Sequence, residues 1–417
     1  MKNILVFFGL FLVMAFTSCK ESPEEPEKPE ETPPEYELTG EMLQKYNEYN
    51  FVVGTQTIGA GSQYKFTEKP VLIETAERIL AMGSNILKIH LHPDTETPES
   101  FRQASPLVLA SQESTFKALL DMNFTYYLLW VMDTPGVEWR NGMSAKELEM
   151  EYQSVRELVE YFRDHFRGTG KKFYIGHWEG DWLLLSSAGD AQERVDPVRI
   201  QGMIDWYNIR QKAVDDAVNV AVSDVEVFQY LEVNRVMPAM ENGFDRIVNK
   251  VLPYADVDYV SYSSWETTIE RLSEGGYNYP ELKNSLFTAL DYIEENMKAK
   301  DRIKGKRVFV SEYGFPRSSG YYADKQAYCS LNVMKAGIEW GCPFILYWEI
   351  YDNEGHGYWM IDKNNVEQPV YKVHQAFYED MKAYVRSSIG SEQHVPDVAE
   401  FRTRAVRVIS ELQNNLK

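Results

Sequence analysis

Residues 307–314 read Arg307-Val-Phe-Val-Ser-Glu-Tyr-Gly314. The run from Arg307 to Ser311 is short and mainly apolar, and a glutamate follows it at once. An amphipathic stretch from Asp324 to Trp340 comes next, then a second apolar run from Pro343 to Trp348. An apolar strand, a helix and another apolar strand form the pattern of a parallel sheet covered on both faces. The pattern continues outward from this segment. Upstream it predicts strands at Phe51–Thr55, Ile86–Leu91, Phe124–Val131, Lys172–Trp178, Val225–Leu231 and Val257–Tyr262. Helical spacing predicts helices near Val71–Met82, Ala145–Phe166, Val198–Val220, Phe244–Val251 and Pro280–Met297, with a last one over Val370–Val385.

Eight such units with no second domain predict an α/β chain closed into a (β/α)₈ TIM barrel over residues 41–390. An open doubly wound sheet would carry a glycine-rich phosphate turn after its first strand. Thr55-Gln-Thr-Ile-Gly-Ala-Gly-Ser62 lacks that spacing. Residues 391–417 are expected to form a loop and one more helix on the outside of the barrel.

Residues 1–18 have the form of an export signal: Lys2, an apolar run from Ile4 to Ala15, then Phe16-Thr-Ser before Cys19. A cysteine at that point resembles the lipobox of bacterial lipoproteins. The resemblance implies an acylated Cys19, a membrane partner through the lipid anchor, and an outer-membrane location facing the cell surface or the periplasm. Residues 19–40 contain KESPEEPEKPEETPPEY, too poor in apolar groups to bury a core, and are expected to be a disordered acidic spacer. The formal net charge of −20 argues against nucleic acid and suits a neutral substrate. Cys329 and Cys342 are expected as buried apolar residues, since no zinc-type spacing exists. A monomer is expected, and no cofactor or metal is called for.

Barrel chemistry sits at the C-terminal ends of the strands. Those ends here carry His90 and His92; Trp130, Asp133 and Trp139; His177, Trp178, Glu179, Asp181 and Trp182; Glu232, Asn234 and Arg235; Tyr262 and Trp265; Glu312; and Trp348, Glu349 and Asp352. Burying a carboxylate costs several kcal/mol unless it is paired, so acids recurring at these ends suggest use. Flat tryptophan faces stack on sugar rings while carboxylates and amides bond the hydroxyls. Hydrolysing a glycoside takes two carboxyl groups, one to protonate the leaving oxygen and one to attack the anomeric carbon or activate water. Glu179 and Glu312, from strands four and seven, are the candidate pair.

Val308-Phe-Val-Ser-Glu312-Tyr-Gly, Val260-Ser-Tyr262 and Ile345-Leu-Tyr-Trp348 resemble strands seven, six and eight of the clan of retaining (β/α)₈ glycoside hydrolases that includes the family-five cellulases and mannanases. Gly357-Tyr-Trp-Met-Ile-Asp362 and Gln368-Pro-Val-Tyr371 resemble its return into the final helix. The resemblance covers roughly residues 50–385. It implies Glu179 as acid/base, Glu312 as nucleophile, Tyr262 bonding the nucleophile and Trp348 flooring the sugar site. A carbohydrate partner follows, contacted by His90, His92, Trp130, His177, Trp178, Trp182, Asn234, Tyr262, Trp265, Trp348 and Glu349. Burial by Trp178 and Trp182 is expected to raise the Glu179 pKa, and Tyr262 to keep Glu312 ionised.

The clan has Asn immediately before its acid/base, where this chain has Trp178. Three alternatives stay open. His177, Asn234 or Glu232 serves the sugar 2-hydroxyl instead; Asp181 is the acid; or the barrel only binds glycans at the cell surface. A further alternative is a metal-dependent amidohydrolase-type barrel using His90 and His92, which face one side of a strand end.

Overall fold

The computed structural model describes residues 36–416 apart from Asp133, so the signal, Cys19 and most of the acidic spacer lie outside the described residues. Eight parallel strands close in chain order: β1 (Val53–Thr57), β2 (Ile86–His90), β3 (Tyr126–Trp130), β4 (Lys172–Gly176), β5 (Glu226–Val233), β6 (Tyr259–Ser263), β7 (Val308–Tyr313) and β8 (Ile345–Tyr347), which pairs back onto β1. The fold is a (β/α)₈ barrel.

The helices are α1 (Gly40–Asn47), α2 (Val71–Met82), α3 (Pro106–Gln112), α4 (Ser114–Asp121), α5 (Ala145–His165), α6 (Gly180–Leu184), α7 (Pro197–Val218), α8 (Val236–Asn242), α9 (Ile247–Lys250), α10 (Tyr279–Glu295), α11 (Ala323–Trp340), α12 (Pro369–Glu392) and α13 (Val398–Asn415). Their starts follow local chemistry. Ser144 opens α5 with a capping box to Glu147, and Asp196 caps α7 ahead of Pro197. Helix α13 packs against α11 and α12.

Strand alternation sorts the side chains. One set, including Ile86, Tyr126, Leu128, Trp130, Tyr174, Phe228, Tyr230, Tyr259, Phe309, Phe344, Leu346 and Trp348, fills the barrel interior. The other faces the helices and makes the larger core. Gly176 leaves room for Tyr230, whose ring a Cβ there would approach to 2.2 Å.

Four strands run further than the apolar pattern predicts, among them β1, to Thr57, and β6, to Ser263. β5 continues to Val233 and β7 to Tyr313, so Glu232 and Glu312 lie within strands rather than after them. Helices α3 and α4, between β2 and β3, are unforeseen; each is short, with only about two turns of periodicity to read. The helix expected near 244–251 is the shorter α9, and α8 before it is unforeseen, ending at Gly243, whose φ of +64° suits glycine.

Candidate active site

Glu312 reaches the barrel mouth because β7 is irregular. Tyr262 pairs with Val310, but Ser263 pairs with Glu312, so Ser311 is an extra residue. Phe309 faces the interior, and strict alternation would turn Ser311 inward and Glu312 toward the helices. The bulge reverses that order beyond Ser311. Glu312 then shares the inner face with Ser263, and Tyr313 joins the outer core.

Glu312 is 2% exposed. Lys88 Nζ lies 3.1 Å from its Oε1, and the indole Nε1 of Trp265 donates to its Oε2 at 3.3 Å. Lys88 comes from the inner face of β2 and is fully buried. It also donates to the Ser311 carbonyl at 3.3 Å, lies 3.7 Å from Glu232 Oε2 and sits 4.6 Å over the Trp130 ring. Burial pushes the Glu312 carboxyl up to about 7; Lys88 and Trp265 pull it down against the nearby charge of Glu232.

Glu179 follows β4 and is 8% exposed. Burial raises its pKa well above the ordinary 4.5, and the charges of Glu312 and Glu232 add to that rise against Lys88 and Arg235. Glu312 has a cation and an N–H donor on its two oxygens, so it ionises first and Glu179 keeps the proton. Glu179 and Glu312 line one cavity of about 220 Å³, with Trp178, Trp182, Asn234, Arg235, Trp265, Glu270, Trp348, Glu354 and Tyr358. Arg235 is held by Asp190 (2.8 Å) and Glu270 (2.7 Å), and its guanidinium lies 4.8 Å over the Trp182 ring. Asp352 accepts the N–H groups of Glu354 and Gly355 at 2.9 and 3.0 Å, shaping the loop that presents Glu354 and Tyr358. The peptide between Trp348 and Glu349 is cis.

Several expected contacts fall elsewhere. Tyr262 does not meet Glu312. It lies on the outer face of β6, where its hydroxyl donates to Glu266 at 3.0 Å and accepts from Thr267 at 3.1 Å. Trp265 and Lys88 hold the nucleophile candidate in its place. His177 also turns outward: its ring packs on Trp206 and Tyr207 of α7, and its Nδ1 lies 2.8 Å from the Trp178 carbonyl oxygen. Burial lowers its pKa to about 4.

The rings of His90 and His92 lie 4.2 Å apart at a tilt of 30°, His90 edge-on to Phe116 of α4, and neither lines the cavity. Trp130 is buried above Lys88, 6.3 Å from Trp348 and outside the cavity lining. Glu349 is buried and accepts the Asn353 N–H at 3.0 Å, again away from the lining. Trp139 stacks on Trp206 in the outer core. Asp181 is engaged by three backbone N–H groups, those of Asn234, Arg235 and Ile247, at 2.9–3.0 Å. That leaves Glu179 as the carboxyl of this loop that faces the cavity. Cys329 and Cys342 are buried free thiols.

Lys88, Glu270, Glu354 and Tyr358 are the site residues that the sequence reading omits. Lys88 had a signal: a lone charge inside Ile86-Leu-Lys-Ile-His90, a strand otherwise suited to full burial. Glu354 and Tyr358 sit on a loop and Glu270 ends a π-helical turn, Glu266–Glu270, with no pattern to mark any of them.

No family model matches the chain, and no curated protein matches it in sequence. Solved structures share its fold, among them the following two. A Glu-to-Ala variant of GH5_18 from Bifidobacterium longum subsp. longum, in complex with Manβ1-4GlcNAc, aligns at TM-score 0.53 and 11% identity over 78% of each chain. A Glu-to-Ala variant of GH5_18 from Streptomyces cattleya, in complex with the same disaccharide, aligns at TM-score 0.52 and 10% identity over 87% of this chain and 90% of that one. At such identity the likeness is one of fold.

The raised pKa of Glu179 has a consequence for stability. The folded chain holds this proton more tightly than the unfolded chain, whose glutamate titrates near 4.5. Its contribution is full below pH 4.5 and is lost as pH rises through the folded pKa. Glu179→Gln cannot ionise and escapes the loss. Its Tm should match the wild-type value near pH 4.5 and exceed it by a margin that grows as pH rises above that value. Calorimetry at increasing pH checks this; a constant offset would contradict it.

Proposed function

We propose that this protein is a retaining glycosidase that cleaves O-glycosidic bonds of a neutral poly- or oligosaccharide. The observation that carries the reading is the pair of buried carboxyls, Glu179 from β4 and Glu312 from β7, entering one tryptophan-walled cavity with different surroundings. Two titrating groups held in unlike environments divide acid and nucleophile roles between them. Glu179 gives its proton to the glycosidic oxygen as the C–O bond breaks, and a Glu312 oxygen bonds the anomeric carbon. Water then attacks that carbon, Glu179 takes the water's proton, and Glu312 leaves as carboxylate. Trp178, Trp182, Trp265 and Trp348 offer ring faces to the sugar.

Asn234 is suited to the role of the missing asparagine before Glu179. Its Oδ1 accepts the Asp181 N–H at 3.0 Å, and its Nδ2, with no acceptor among the described residues, is free for a substrate hydroxyl. The carbohydrate complexes of the two GH5_18 structures favour a glycan ligand. The proposal includes acylation at Cys19, a spacer over the acidic segment and a monomer tethered to the outer membrane, at the surface or facing the periplasm.

The test is a panel of neutral glycans followed by proton NMR of the first sugar released. The expected product keeps the anomeric configuration of the substrate. Initial release of the opposite anomer would overturn the mechanism. Binding without cleavage across the panel would instead establish a glycan-binding surface lipoprotein, the reading that Trp178 in place of Asn favours.

A further inference from the structure

Glu232 does not line the cavity, yet it touches the machinery from three sides. It is fully buried on the inner face of β5. Its Oε1 accepts the backbone N–H of Glu179 at 2.9 Å and the Ser263 hydroxyl at 3.0 Å. Its Oε2 accepts the Ser261 hydroxyl at 2.9 Å and lies 3.7 Å from Lys88 Nζ, the ammonium that bonds Glu312. One carboxylate therefore joins the peptide of the acid candidate to the cation of the nucleophile candidate.

The loop it holds needs a holder. Glu179 leaves β4 with φ 10° and ψ 79°, outside regular strand or helix geometry. Next to it, Gly180 packs so closely on β5 that a Cβ would lie 2.6 Å from the Glu232 carbonyl oxygen. Further along, Asp181 exchanges bonds with Asn234: its N–H donates to Asn234 Oδ1 and its carboxylate accepts the Asn234 N–H. The end of β5 is thus the template on which residues 179–181 are laid.

We infer that Glu232 is a positioning residue that sets the place of Glu179 through its backbone and, through Lys88, its relation to Glu312. It acts in two separable ways. The hydrogen bond to the Glu179 N–H fixes where the acid sits. The negative charge disfavours ionisation of Glu179, whose other charged neighbours are Glu312, Lys88 and Arg235. The inference rests on the glycosidase reading for its kinetic consequence only.

Two variants separate the effects. In Glu232→Gln the charge is gone; in Glu232→Asp the charge stays but the shorter side chain withdraws from the Glu179 N–H. The readout is the titration of the Glu179 carboxyl carbon by NMR in protein labelled with ¹³C at the glutamate carboxyl, assigned by its disappearance in Glu179→Gln. Glu232→Gln should lower the Glu179 midpoint by about one pH unit or more, and with it the alkaline limb of kcat on any glycan cleaved. Glu232→Asp should leave that midpoint near the wild-type value and lower kcat about tenfold, roughly 1.4 kcal/mol, with KM unchanged.

An unmoved midpoint in Glu232→Gln overturns the charge effect, and unchanged kcat in Glu232→Asp overturns the positioning. Should Glu232→Gln fail to fold, Glu232→Asp still decides the positioning. A shifted midpoint in a protein that cleaves no glycan would refute the function and leave Glu232's hold on Glu179 standing.

Discussion

Glu312→Gln should lower kcat by about 10⁴-fold or more, which is roughly 5.4 kcal/mol or more of transition-state stabilisation, while glycan affinity stays within a few-fold of wild type. Gln keeps the size of the side chain, and its single oxygen can accept from one of the two donors, Lys88 or Trp265, that bond separate Glu312 oxygens at 3.1 and 3.3 Å. It lacks the charge needed to attack an anomeric carbon, so binding survives and covalent chemistry does not. Measuring turnover beside glycan binding by calorimetry separates the two. Wild-type turnover in the variant would remove Glu312 from the mechanism and shift attention to the other cavity acids, Glu270 and Glu354.

The second large effect is expected at Lys88. Lys88→Met removes the cation between Glu312 and Glu232, leaving two buried carboxylates without their shared partner. Breaking a buried pair in this way costs about 3–5 kcal/mol, so urea unfolding at alkaline pH, above the Glu312 pKa of about 7, should show a deficit of that order. The deficit should shrink at lower pH, because Glu312, with its raised pKa, can take up a proton. Kinetics should move in step. Lys88 holds the Glu312 pKa down, so its loss raises that pKa and carries the acid limb of kcat/KM to higher pH. Lys88→Arg, which keeps the charge, should retain the limb near its original position. Wild-type stability together with an unmoved limb in Lys88→Met would show that Lys88 is not the counter-ion of the nucleophile.

The strand-and-helix order was legible because barrel strands are buried on both faces and therefore apolar throughout, while their helices are amphipathic. Helix α2 begins and ends where its spacing places it, at Val71 and Met82. The strand-end rule then brought Glu179, Glu312 and four tryptophans of the cavity into one short set. The same rule overreached. His177, Trp139 and Tyr262 also follow or end strands, but they occupy outward positions, against Trp206 for the first two and Glu266 for the third.

Composition and periodicity along the chain were enough for the barrel and for the strands that carry its acids, since both depend on contacts each segment makes in a local, repeating way. Three features of the site depend on closure of the sheet instead. The extra residue at Ser311, which turns Glu312 into the mouth, exists only in the pairing of β6 with β7. The ion pair of Lys88 with Glu312 joins side chains 224 positions apart in sequence. The hold of Glu232 on the Glu179 peptide depends on β4 and β5 ending side by side. A bulge and a long-range charge pair leave no period in the sequence, because each is a single event set by which strands become neighbours.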